Sequence, residues 1–313
     1  MSCNKEIFGP KNNQLNVFEE EWKYIDENYV YFDYKNINWA AVKAKYQSKV
    51  SSNISEDSLF SICSSMLSEI KDGHSFLTSS SRFYNYDFTN GYNVYFDLDI
   101  TIKSKYLKNN FQTEGYYTYG IIQDTIGYVY YERFSNDSYF NNVMQFFKDK
   151  NVSKIIIDIR NNQGGEAKIP QYMVGYFVSQ ETLVGYLQFK GGKEHNNFTS
   201  KIELKAVPQS IYFGKKVNVL INRNSFSAAS YFAGMVNNLP NFKLIGQITG
   251  GGGGAGSPYE LPNGWIVAVA NEFFMDSKGN QIENGISPNI PIENTKKDLK
   301  TFIDKMLEKA IEK

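Results

Sequence analysis

The sequence predicts an α/β (α+β) protein with a helical subdomain at its N-terminal end. Two changes of pattern along the chain predict it. Up to residue 71, apolar residues recur at mixed three- and four-residue spacing, as on helices with one buried face. Beyond Asp72 the text turns to β-branched and aromatic runs, which then alternate with helical patterns. A third observation concerns the runs Ile155-Ile156-Ile157 and Val217-Asn218-Val219-Leu220-Ile221, which hardly alternate at all. Strands of that kind are buried on both faces, as in layered α/β proteins. The expected divisions are therefore a leader over 1–13, a helical subdomain over 14–71 and a core over 72–313.

The leader is short and polar, with no hydrophobic signal region. Met-Ser-Cys-Asn-Lys-Glu reads like the start of a mature bacterial lipoprotein, with Cys3 as the lipidation candidate and a polar tether after it. The plainer reading is an ordinary cytoplasmic N-terminus with an incidental cysteine. The first helix places Val17, Phe18, Trp22, Ile25 and Tyr29 on one face. A second is expected in NINWAAVKAKYQSKV, capped by Asn36 or Asn38. A third begins at Ser55, with Glu56 and Asp57 in its first turn, where acidic groups suit the helix dipole. Cys63 within it is expected to act as a small buried hydrophobe.

Strands are expected in YNVYFDLDITI, YYTYGIIQ, TIGYVYYERF, KIIIDIR, VNVLIN and KLIGQ. Helices are expected in IPQYMVGYFV, in SAASYFAGMVNNL and in the basic C-terminal stretch KKDLKTFIDKMLEKAIEK. Composition narrows the function classes. Lys+Arg and Asp+Glu are equal at 33 each, so the basic excess that favours phosphate binding is missing and no nucleic-acid partner is expected. Two histidines and two cysteines give no metal site and no disulfide framework.

Three segments carry chemical interest. In VNVLINRNSFSAASYFAGMV, a buried strand runs through a polar turn into a helix that opens at Ser227-Ala228-Ala229. A serine there lies beside a helix N-terminus that favours developing negative charge, and the Ala228 N–H is a second donor. The alternative is an ordinary N-cap serine, at Ser225 or Ser227. In KIIIDIRNNQGGEAKIPQYM, the pair Gly164-Gly165 follows a strand and would let backbone N–H groups approach a ligand. The alternative is a tight strand-to-helix turn. His74, in SEIKDGHSFLT, follows an Asp-Gly turn signal, where a lone histidine is commonly incidental. His195 sits in the polar stretch KGGKEHNNFTS and reads as part of a solvated loop. ITGGGGGAGSP is no phosphate loop, because no Gly-Lys-Ser/Thr follows the glycines.

Taken in order, KDGHSFL, DIRNNQGGE, NSFSAAS, LIGQITGGG, LPNG and ENGISPNIPI resemble the tail-specific (C-terminal processing) serine peptidases, whose core is shared with tricorn protease. The resemblance covers about residues 55–295. It implies a crotonase/ClpP-like layered catalytic core with Ser227 as nucleophile, and it implies no cofactor. It also implies an oxyanion hole from Gly164, Gly165 and Ala228. Many members carry a lysine base 25 residues after the serine, where this chain has Gly252 (227 + 25 = 252). Tricorn-like members use an upstream histidine, which implies His74 as general base here, and a late glutamate, which implies Glu283 as the group that orients it. Two departures stand out: Ser230 where glutamate is frequent, and Asn289 where aspartate is usual.

Asp158 follows His74 by 158 − 74 = 84 positions, and core strands must occupy much of that stretch, so the substrate-gripping PDZ domain of many members is not expected there. The implied activity is hydrolysis of peptide bonds in unfolded proteins or peptides. The implied place is the periplasm or cell envelope, with a membrane tie only through an N-terminal lipid. Two other readings share the same core. One is a non-catalytic module binding an apolar ligand or peptide, to which 23 Phe and 23 Tyr could contribute. The other is a hydrolase of small esters or amides.

Overall fold

The computed structural model describes residues 13–135 and 138–312. Cys3 and the expected leader up to residue 12 lie outside the described residues. The chain begins with α1 (Gln14–Asn28), α2 (Trp39–Gln47) and α3 (Glu56–Ser68), followed by β1 (Phe76–Thr78) and β2 (Phe83–Asn85). Then come β3 (Phe111–Glu114), β4 (Tyr117–Ile122), β5 (Ile126–Tyr131), α4 (Phe140–Asp149) and β6 (Lys154–Asp158). Next are α5 (Lys168–Val174), β7 (Thr182–Phe189), β8 (Ile202–Ala206), β9 (Val217–Ile221), α6 (Ala228–Val236) and β10 (Phe242–Gly246). The last elements are β11 (Pro258–Glu260), β12 (Ile266–Ala268), β13 (Glu272–Asp276), β14 (Ile290–Pro291), α7 (Lys296–Lys300) and α8 (Lys305–Ile311).

Two compact units share these elements. The first takes residues up to Phe88 together with Gln188–Ser200 and Gly254–Phe273. Its helices start where side-chain oxygens relieve unpaired N–H groups. Asn13 accepts from the Asn16 N–H, Asn38 from Ala41 and Ser55 from Ser58. Asn36, the other candidate cap for α2, instead adopts a left-handed φ of 53°. Val17, Phe18 and Ile25 face inward from α1, and Cys63 from α3, as their spacing predicts. Glu21 is also fully buried in α1. The sheet of this unit is antiparallel, in the order β11-β12-β1-β2. His195 departs from the solvated-loop expectation: it stacks on Phe32 with ring centroids 4.3 Å apart, and its Nε2 lies 2.9 Å from Asp26 Oδ1.

The second unit takes Thr89–Leu187, Lys201–Gly253 and Phe274–Lys313. It is built on a seven-stranded sheet in the order β14-β10-β9-β6-β5-β4-β3. Pairing is parallel from β14 through β5 and antiparallel from β5 through β3. The non-alternating runs are explained by burial on both faces. Ile155, Ile157, Val217 and Val219 join a core with α4, α5 and α6 through residues such as Met144, Ile169 and Phe232. Ile156 and Leu220 point into a second core with Met306, Leu307 and Ala310 of α8. Helices thus cover both faces of the parallel strands.

Two expectations are corrected. YNVYFDLDITI forms no strand; residues 92–97 are irregular and Leu98–Tyr106 is a π-helix. Asp97 caps it, accepting from the Ile100 N–H and the Thr101 hydroxyl, a local bonding pattern that competes with a strand ladder. The C-terminal helix is two helices, because a capping box at Thr295 and Asp298 begins α7 while Phe302 turns left-handed and Asp304 caps α8 afresh. Asp304 also reaches back to the sheet. Buried Arg160, just past β6, pairs with Asp158 at 2.5 Å and with Asp304 at 2.7 Å. Lys154 Nζ donates to the last carbonyls of the helix, those of Ala310, Ile311 and Glu312.

Candidate active site

In open parallel sheets, ligands bind outside the carboxyl ends of the strands. The neighbouring strands β6 and β9 release two turns there, residues 159–167 and 222–227. The second turn ends at Ser227, whose backbone is strained, with φ 56° and ψ −123°. Such a conformation costs a non-glycine residue about 1–3 kcal/mol and persists only when the surroundings impose it. Here they do. The Ser227 N–H donates to the Gly251 carbonyl at 2.9 Å, and the Phe226 N–H donates to the Asn162 carbonyl at 3.0 Å. Ser227 makes no capping bond to α6 with its side chain, so the N-cap alternative does not account for it. The other serine of the turn is structural. Ser225, fully buried, receives the Asn222 N–H and donates to the Ile159 carbonyl.

The first turn presses against the serine. A Cβ placed on Gly164 would stand 2.7 Å from Ser227 Cβ and 2.8 Å from the Ala228 nitrogen, so only glycine fits. Both glycines have positive φ, 94° at Gly164 and 141° at Gly165. The Gly164 N–H is committed to Asn162 Oδ1 at 2.9 Å. The N–H groups of Gly165 and Ala228 have no acceptor among the described residues. Of the three donors expected for an oxyanion hole, these two remain available, and Gly164 serves by its small size.

An asparagine clasp that the sequence did not reveal locks the two turns together. Asn222 Nδ2 donates to Asn161 Oδ1 while its own Oδ1 accepts from the Asn161 and Asn224 N–H groups, all near 3.0 Å. Asn224 Nδ2 donates to the same Asn161 oxygen. The only signal was the density of asparagine in RNNQGG and INRNS, which by itself reads as turn chemistry.

The glycine run supplies a third piece. Besides holding Ser227 through Gly251, it grips Glu283: the Gly252 N–H donates to the Glu283 carbonyl at 3.3 Å, and the Gly253 N–H donates to its carboxylate at 2.9 Å. Glu283 is buried, not a surface residue at a strand end. The two departures from the resembled pattern both have structural uses. Ser230 bonds to the Ser225 carbonyl and to Thr249, and Asn289 Oδ1 accepts from the Leu244 N–H. Ser227, Gly164, Gly165, Ala228 and Glu283 all belong to the second unit.

His74 belongs to the first unit. It lies in the turn between α3 and β1, half-buried, where its N–H donates to Asp72 Oδ1 at 2.8 Å in a local turn. Burial holds the imidazole below its ordinary pKa, and the charge of buried Asp72 partly opposes that. The ring is therefore neutral, and able to accept a proton, at neutral pH.

A parallel-stranded core with a strained serine held against a glycine turn defines a layered α/β protein with its site at the strand ends. The chain belongs to Peptidase family S41, whose pattern matches residues 125–292; the tricorn protease C1 domain matches residues 10–68. A crystal structure of a candidate peptidase from Parabacteroides merdae superposes with a TM-score of 0.88 at 32% identity, covering 96% of each chain. The "probable CtpA-like serine protease" of Staphylococcus epidermidis is 29% identical over 148 residues, 46% of this chain and 28% of that protein. The carboxy-terminal processing protease CtpB of Bacillus subtilis is 23% identical over 172 residues, 54% of this chain and 34% of that protein. The chain thus matches about a third of the length of these curated relatives.

Proposed function

We propose that the protein is a serine endopeptidase that hydrolyses peptide bonds of unfolded proteins or peptides outside the cytoplasm. The observation that carries this reading is the strained Ser227 with two uncommitted N–H groups, Gly165 and Ala228, beside it. Ser227 attacks the scissile carbonyl while neutral His74 takes its proton and returns it to the leaving amine. In this reading the oxyanion forms against the Gly165 and Ala228 N–H groups, which no acceptor occupies among the described residues. Glu283 is the proposed orienting group for the imidazole. Water then hydrolyses the acyl-enzyme by the same steps in reverse. The envelope location rests on Cys3 as a lipid site; among the described residues no helix is long and apolar enough to cross a membrane.

Fluorophosphonate labelling followed by peptide mass spectrometry tests the chemistry. An adduct on Ser227 is expected, lost in Ser227→Ala and in His74→Ala. Each substitution should lower peptide turnover by about four to six orders of magnitude, with the double variant little worse, because such residues act as a unit. Additive losses would count against the pair. A wild-type protein that binds peptides but stays unlabelled would be a binding module instead.

A further inference from the structure

A cavity of about 350 Å³ opens in the second unit beside the glycine turn. Glu132 and Arg133, at the exit of β5, form one wall; Asn161, Gln163, Gly164 and Gly165 form the other. The two walls are fixed to each other, because the Phe134 N–H donates to the Gly164 carbonyl at 3.0 Å and the Glu166 N–H to the Phe134 carbonyl at 2.7 Å. The cavity is also next to the reacting serine, given how closely Gly164 packs on Ser227. A peptide whose scissile carbonyl meets the Gly165 and Ala228 N–H groups would bring a flanking residue within reach of it.

Arg133 is the unusual feature of this wall. The chain has four arginines. Arg82 binds Asp57, Arg160 binds two buried aspartates, and Arg223 donates to the Thr249 carbonyl and stacks on Tyr92. Arg133 alone is exposed with no ion pair or hydrogen-bond acceptor among the described residues. A guanidinium presents a planar fork of donors matched to a carboxylate. Glu132 shares the wall without pairing with Arg133, so among the described residues the fork has no anionic partner, and the Glu132 charge disfavours a second anionic group.

We propose that this cavity is a substrate subsite in which Arg133 binds a single carboxylate flanking the scissile bond. The inference rests on Ser227 as nucleophile. The carboxylate has two possible sources, an acidic side chain or the free C-terminus of the substrate.

Matched synthetic peptides separate them: one series exchanges Glu, Gln and Lys at each position flanking the cleaved bond, and each peptide is made as free acid and as amide. In the wild type, kcat/KM should favour the carboxylate member of a pair by about 10- to 100-fold, the range of a charged hydrogen bond. Preference for Glu within the amides assigns the side chain; preference for acid over amide assigns the C-terminus. In Arg133→Gln the ratio should fall to about one. In Arg133→Glu it should reverse toward Lys, a change that only a folded site can produce. No preference in the wild type, or the same preference in Arg133→Gln, overturns the proposal. So does loss of all cleavage together with Ser227 labelling in both variants, which would make Arg133 structural. A wild type that cleaves nothing and never labels at Ser227 overturns the nucleophile assignment as well, whereas normal labelling with flat selectivity removes the subsite alone.

Discussion

Ser227 holds a backbone conformation that a serine adopts only under constraint, and the constraint comes from three directions: Gly251, Asn162 and the close-packed Gly164. The strain holds the proposed nucleophile at a fixed place in the turn. His74 completes the proposed chemistry only while neutral. Burial lowers its pKa below the ordinary value of 6.5. The acid limb of activity should therefore be centred below pH 6.5, at the folded-state pKa. A kcat/KM profile with its acid limb above pH 7 would contradict the direction of that shift. A profile rising only above about pH 9 would instead indicate a lysine base.

At the scale of elements, the site is a joint between two strand-to-helix turns, and Asn222 is its pin. Its single amide spans both turns with donor and acceptor together. Asn222→Ala would leave the Asn161 and Asn224 groups without these partners, at a cost of about 1–3 kcal/mol. Because small misplacements near a reacting centre are expensive, fluorophosphonate labelling of the folded protein should also slow by about 100-fold. Thermal unfolding measured beside the labelling rate checks this. A lower melting temperature with an unchanged labelling rate would reduce the clasp to a stabilising contact.

At the scale of the whole molecule, the proposed base His74 lies in the first compact unit and the proposed nucleophile Ser227 in the second. The stabilities of the two units should respond differently to pH. Glu21, fully buried in the first unit beside the Cys63 thiol, has its pKa pushed from the ordinary 4.5 up to about 7 by burial. A carboxyl with a raised folded-state pKa contributes stability below its unfolded value and loses it as pH rises through the folded one. The first unit should thus lose roughly 3 kcal/mol between pH 4.5 and pH 7 and above. Hydrogen exchange of α1 and α3, compared with that of β6 and β9 at pH 5 and pH 8, reads this directly. Glu21→Gln should abolish the difference. An equal pH response in that variant would assign it elsewhere.

Much of this protein was legible without coordinates. Helix starts at Asn38 and Ser55 follow from caps that act over three residues, and the doubly buried β6 and β9 follow from apolar runs that local chemistry alone makes unmistakable. The family was legible from segments in order, and the resemblance named Ser227, Gly164, Gly165 and Glu283 as the candidate-site residues. What stayed hidden is a competition between local bonds, or depends on partners far along the chain. The strand pattern at 92–102 yielded to the Asp97 cap and the packing of Ile102 against α8. The clasp between Asn161 and Asn222, and the lack of a partner for Arg133 among the described residues, appear only once β5, β6 and β9 lie side by side. Local sequence determines which residues can start a helix or face two cores. Which N–H remains available, which serine is strained and which arginine has no partner among the described residues is decided by distances between segments, and only the tertiary structure sets those.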